Sequence, residues 1–163
     1  MEMQHPGKTK SSQADFMHYK KLLLMIVLSF IAMYVLMYSM VNTFSNVVPN
    51  VNQFYMAGLM TMPMVIIELA VMGGMYMKKK LNVAIIAAGF IALIGFFLCV
   101  RQQSGVGDKQ FLKSMIPHHA AAILMVEKAS LNDPEIKKLA QGIIAAQQAE
   151  IEQMKSKLKE MGK

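Results

Sequence analysis

The stretch Phe111-Leu112-Lys113-Ser114-Met115-Ile116-Pro117-His118-His119, followed by Met125 and, one helix later, by Gln147, Glu150 and Met154, holds the residues best suited to chemistry. Imidazoles and thioethers are donors that a soft metal ion accepts readily, copper above all. On a helix, positions 115, 118 and 125 share one face. Position 119 lies about a hundred degrees from 118 and flanks the same stripe. Gln147, Glu150 and Met154 share a face of a second helix by the same spacing. An antiparallel hairpin would set the His pair opposite Gln147 to Met154, with polar groups able to orient an imidazole.

The elements that must position these residues are legible. Leu112, Met115, Ile116, His119, Ala122, Ile123 and Val126 repeat at amphipathic spacing after Asp108, a residue able to cap a helix. Pro117 falls inside this run, so a kink or a restart is expected there. Asn132-Asp133-Pro134-Glu135 marks the next start: Asp as cap, Pro at the first helical position, an acid in the first turn. The second helix then runs to about Lys159, with Ile136, Leu139, Ala140, Ile143, Ile144, Gln147, Ile151, Met154 and Leu158 on its apolar face.

Before the hairpin, the chain is built for a bilayer. Of 163 residues, 55% are hydrophobic, and they fall in long blocks. Leu22 to Val41 carries no charge, Tyr55 to Met77 one acid, and Leu81 to Val100 none. Twenty residues at 1.5 Å each match a hydrocarbon core of roughly 30 Å. The expected organisation is a cytoplasmic segment 1–21, a membrane domain 22–100 with spans 22–41, 55–77 and 81–100, a linker 101–107 and a hairpin domain 108–163. The first apolar block follows a polar lead and lacks a cleavage pattern, so it is expected to remain as an anchor.

The net charge of +7 does not imply nucleic acid, because the lysines sit on membrane flanks and on helices that also carry acids. Lys8, Lys10, Lys20 and Lys21 precede the first span, Lys78, Lys79 and Lys80 join the second to the third, and residues 42–54 have no Lys or Arg. The positive-inside rule then places the N-terminus in the cytoplasm and the hairpin outside. Cys99 stands alone and reads as a packing residue. Met1, Met3, His5, Met17 and His18 offer further donors near the start, for which a solvated segment is the simpler reading.

The first two spans hold eleven of the eighteen methionines. Met56, Met60, Met64, Glu68, Met72 and Tyr76 recur every four residues as one drifting stripe. A thioether ladder for Cu(I) would look like this, although flexible apolar packing is the reading we favour. Glu68 differs, since an acid inside a span is costly and marks a bundle interior, a partner helix or a watered cavity. Met60, Met64 and Glu68 are therefore a second candidate site. Gly73, Gly74, Gly89 and Gly95 offer places for close helix contact.

Phe-Leu-x-x-Met-Ile-Pro-His-His, Ala-Ile-x-Met and Leu-Ala-x-x-Ile-Ile-x-x-Gln-x-x-Glu-Ile-x-x-Met together resemble the bacterial domain-of-unknown-function family numbered 305, over residues 108–160. The resemblance implies a ferritin-like helical bundle, and for some members an extracytoplasmic role in copper binding and tolerance. It carries over Met115, His118, His119, Met125, Glu150 and Met154 as metal-site residues. Ala120 replaces the Gln often found after the His pair. Larger members contain two such hairpins, this chain one. The membrane part is expected to lie outside the match.

A hairpin of about fifty residues is too small to bury a core alone. Pairing with a second copy would complete a four-helix bundle, so a homodimer or higher homo-oligomer is expected. The whole is then all-α: three transmembrane helices followed by an extracytoplasmic α-hairpin. The expected function is a membrane-anchored copper-binding protein for capture, buffering or tolerance, located in the bacterial inner membrane and open to exchange with a copper-handling partner. Cu(I) is favoured by the thioethers, with Cu(II) or zinc tolerated by the imidazoles. The alternatives are an oligomeric metal-ion transporter that uses the Met60, Met64 and Glu68 stripe, and a non-metal oligomerisation module. An enzyme is not expected: there is no nucleophile constellation, and the acids lack the ferritin pattern of several inward Glu with Glu-x-x-His.

Overall fold

A computed structural model describes residues 7–162, with side chains from Phe16 onward. Met1, Met3 and His5 lie outside the described residues. Within them the chain is all-helical and free of strands: α1 Gly7–Leu36, α2 Val51–Val71, α3 Lys79–Gln102, α4 Asp108–Lys128 and α5 Pro134–Glu160. Three stretches are long and apolar enough to cross a membrane: Phe16–Met40, Val51–Val71 and Lys79–Gln102. Two compact units emerge, and they interleave along the chain.

The first unit combines Tyr55–Cys99 with the described chain up to Met33. Ala57, Gly58, Thr61, Val65 and Leu69 form the buried face of α2. Thr61 lies wholly inside because its hydroxyl donates to the Ala57 carbonyl at 2.7 Å, which removes the penalty of burying it. Gly58 has a steric role that its sequence context hides: a Cβ there would sit 2.5 Å from the Phe96 ring. Gly89 similarly approaches Ile66, whereas Gly73, Gly74 and Gly95 face open space. The expected glycine contacts thus reduce to one of those four, with Gly58 added.

The second span ends earlier than hydropathy suggests. α2 stops at Val71, the chain turns through Gly73–Met75, and α3 begins at Lys79. Tyr76 is buried in that turn and donates its hydroxyl to Glu68 Oε1 at 3.1 Å. Burial first, and the Glu68 carboxylate next, push the Tyr76 hydroxyl above its ordinary value, so it stays a donor. Glu68 is therefore not a mid-span acid: it occupies the last turn of α2 and has a defined partner.

The second unit joins Tyr34–Phe54 to the described chain from Val100 onward. Its core is Ile116, Ala120, Ile123, Ile151 and Met154, where α4 and α5 meet. Burying a side chain such as Ile116 or Ile123 contributes roughly 1.5–3 kcal/mol. Val41 and Val48, from the connection between α1 and α2, pack on the same core. That connection is tied down: Tyr38 Oη and Asn50 Nδ2 each donate to the Val48 carbonyl at 3.0 Å, and Val51 N donates to Gln110 Oε1 on α4. The hairpin thus gains part of its missing core from its own chain, which residues 108–163 alone do not reveal.

Helix starts divide as their chemistry dictates. Asp133 caps α5, its Oδ1 accepting from Glu135 N at 2.8 Å and Ile136 N at 3.0 Å. Asp108 does not cap α4. It is the first helical residue, after Gly107 at the cap position, where its charge still favours the helix N-terminus. Pro117 causes no restart, because α4 runs unbroken through it.

Candidate functional site

The α4–α5 packing selects one histidine of the pair. Ile116, His119, Ala120 and Ile123 are buried against α5, so the face turned toward the partner helix is centred between positions 119 and 123. His119 is only 8% exposed. His118, about a hundred degrees round the helix, is exposed, and its ring centroid lies 6.1 Å from that of His119. The stripe through 115, 118 and 125 therefore flanks the hairpin interface, and His119, placed beside that stripe by spacing, points into it.

Both His119 nitrogens are engaged. Nδ1 lies 2.9 Å from the Met115 carbonyl oxygen, and Nε2 lies 2.7 Å from Glu150 Oε2 on α5. A carbonyl oxygen only accepts, so Nδ1 carries a proton and donates it. Nε2 is then the nitrogen that shares one proton with the Glu150 carboxyl, as imidazolium with carboxylate or as neutral imidazole with the acid. A buried imidazole is satisfied on both edges, and its orientation is fixed. Glu150 keeps about half of its side chain in solvent, so the pair sits at the edge of the hairpin core.

The thioethers divide. Met154, one turn beyond Glu150, is buried in the core cluster, and Met115 packs against the same cluster. Gln147 is half-buried on α5. Met125 is six residues past His119, about 9 Å along the helix. It is 56% exposed and lines a shallow apolar groove at the turn end with Leu131, Ile136 and Leu139. His119, Glu150, Met115 and Met154 thus belong to one region, His118 to its outer rim, and Met125 to the other end of the hairpin. Among the described residues no three His, Cys, Asp or Glu side chains converge as a ready metal cage. The donors gathered here are one imidazole and one carboxylate, while Met154 lies in the hairpin core and Met115 packs against it.

The membrane candidates sit differently. Met60 and Met64 are 42% and 37% exposed, on a face of α2 turned away from Ala57, Gly58, Thr61, Val65 and Leu69. Within this chain Met60 and Met64 do not line an interior. The part played by the Met115 backbone carbonyl was not legible from side-chain types, although a histidine four residues after a helical carbonyl is the spacing that permits such a bond.

Three apolar helices of membrane-crossing length and a histidine-bearing hairpin define the class of chain, an all-helical membrane-type protein. It belongs to the family described as Domain of unknown function (DUF305), whose model matches residues 68–162. The match contains the expected segment 108–160 and begins earlier, at Glu68, so that all of α3, expected to lie outside it, falls inside. The chain is also 37% identical over 155 residues to "Uncharacterized protein L153" of Acanthamoeba polyphaga mimivirus, covering 88% of this chain and 95% of that protein. This relative is viral, and the bacterial setting expected from the resemblance has no support from it. No solved structure matches the chain.

Proposed function

We propose that the protein is a membrane-anchored copper-binding protein that captures and buffers copper through the His119–Glu150 edge of its hairpin. The observation that carries this reading is the commitment of His119 Nδ1 to the Met115 carbonyl, which leaves Nε2 as the coordinating nitrogen, aimed at a carboxylate. Such an orienting bond on the far nitrogen is what a metal-ligating imidazole ordinarily has. A copper ion takes the place of the proton shared by Nε2 and Glu150. Met154 and Met115 supply thioethers that favour Cu(I). Exposed His118 is the outer imidazole, which collects the ion at the rim. The lysine distribution supports a cytoplasmic N-terminus and an external hairpin.

A second copy completes the bundle. Phe111, Met125, Ile136 and Leu139 remain between 51% and 64% exposed on the hairpin, more apolar surface than a solvated helix pair usually shows. The test of the copper reading is a Cu(I) competition titration of the full chain in detergent, beside His119→Ala and His118→Ala. Affinity falling at least tenfold in His119→Ala supports the reading. Equal affinity in all three proteins removes it and leaves the buried pair as a structural pin in an assembly module.

The exposed faces of Met60 and Met64 favour one other reading, an oligomer whose α2 helices line a path for a metal ion. Metal flux in vesicles, lost in Met60→Leu with hairpin binding intact, distinguishes it.

A further inference from the structure

The first unit carries a second arrangement that sequence separates and folding joins. Tyr19 near the start of the first span donates its hydroxyl to Asn82 Oδ1 on α3 at 2.7 Å. Asn82, 7% exposed, donates its Nδ2 to the Tyr76 carbonyl at 2.9 Å. Both ends of one buried amide are thereby used to hold the α2–α3 turn against α1. The Tyr19 and Tyr76 rings stand 5.3 Å apart, and Tyr76, Leu22 and Leu69 close a small core behind them. Tyr19 Oη also lies 3.4 Å from the Lys78 carbonyl.

The consequence is electrostatic. Lys20 and Lys21 follow Tyr19 directly, Lys78, Lys79 and Lys80 follow Tyr76, and all five are exposed. Glu68, nearby on α2, is occupied with Tyr76. The basic groups are flanked by exposed apolar residues on the same elements: Leu23 and Leu24 after the first pair, Met77, Leu81 and Val83 around the second group. A free phosphate ion has no use for that apolar border, whereas acyl chains lie along it. Juxtamembrane lysines are attracted to anionic headgroups with about 1 kcal/mol each, roughly fivefold in affinity per lysine.

We propose that Lys20, Lys21 and Lys78–Lys80, brought together by the Tyr19–Asn82–Tyr76 tie, form a binding site for the headgroup phosphate of an anionic phospholipid. The site is independent of the hairpin and of any metal. Its distinguishing property is that affinity depends on the uncharged tie as well as on the charges.

Native mass spectrometry of the full chain in detergent, with phosphatidylglycerol against phosphatidylcholine of identical acyl chains, tests this. Phosphatidylglycerol should be retained over phosphatidylcholine at least tenfold. Lys78→Gln, Lys79→Gln, Lys80→Gln together should abolish the preference, and the matching triple Arg variant should retain it. Tyr19→Phe, which changes no charge, should reduce it several-fold by releasing the turn. Equal retention of the two lipids overturns the proposal, as does a triple Gln variant that keeps the preference or a Tyr19→Phe variant that matches the wild type. Millimolar inorganic phosphate should leave the lipid bound. Displacement by phosphate overturns the proposal in favour of a small-anion site.

Discussion

His119 Nε2 and Glu150 Oε2 stand 2.7 Å apart across the α4–α5 interface, and the opposite ring nitrogen of His119 is held by the Met115 carbonyl. One relationship therefore ties the two helices, fixes a ring and determines which nitrogen a metal would meet. Because Glu150 is half exposed, water can replace it when it is removed. Glu150→Ala is expected to cost the hairpin about 1 kcal/mol, the usual net value of such a bond, and His119→Ala somewhat more through lost packing. A double-variant cycle on thermal unfolding of the full chain checks the coupling between them.

Metal binding at this pair should release a proton. The shared proton between Nε2 and Glu150 has to leave when a metal takes its place, so about one proton should appear per ion bound, and affinity should fall as pH is lowered. Calorimetry in two buffers of different ionisation enthalpy reads the number directly. A value near zero would mean that the metal does not enter between these two groups.

The loop between α1 and α2 is expected to stabilise the hairpin. Val48 packs on the core of Ile116, Ile123 and Ile151, so Val48→Asp places an unpaired charge against it and should loosen α4. Hydrogen exchange along α4 and α5 should accelerate in this variant. Exchange unchanged from the wild type would show that the loop contributes nothing.

Asp133→Ala removes two hydrogen bonds to the first turn of α5 and should cost about 1 kcal/mol. The effect should be confined to early exchange at Glu135 and Ile136, with the far end of α5 protected as before.

Leu139→Glu places a charge on the exposed apolar stripe without touching the buried face. If that stripe meets a second copy, sedimentation of the full chain in detergent should shift to the monomer with helix content intact. An unchanged mass in a wild-type oligomer would locate the interface elsewhere.

Much of this was legible from local patterns. The α5 start was readable because Asp133, Pro134 and Glu135 each satisfy a separate requirement of a helix N-terminus, and they agree. The spans were readable because uninterrupted hydrocarbon has few other uses. The failures share a cause: they depend on what a residue meets far along the chain. Glu68 looked like a buried mid-span acid because hydropathy carries the second span to Met77, whereas Tyr76 folds back and ends it. Gly58 looked ordinary until Phe96 arrived beside it. His118 and His119 were equivalent by type; the amphipathic run took in His119 and not His118, and the packing of α4 on α5 then set His119 against Glu150. The loop residues Val41 and Val48 gave no sign that they complete a core seventy residues away.

Copper K-edge X-ray absorption of the full chain loaded with one equivalent of Cu(I), compared in wild type, His119→Ala and His118→Ala, tests the central claim most directly. The wild type should show imidazole multiple scattering beside thioether sulfur and light-atom scattering, and the imidazole multiple scattering should vanish in His119→Ala while persisting in His118→Ala. Imidazole multiple scattering that survives in His119→Ala, or a spectrum without it in the wild type, would contradict the assignment of His119 Nε2 as the ligand.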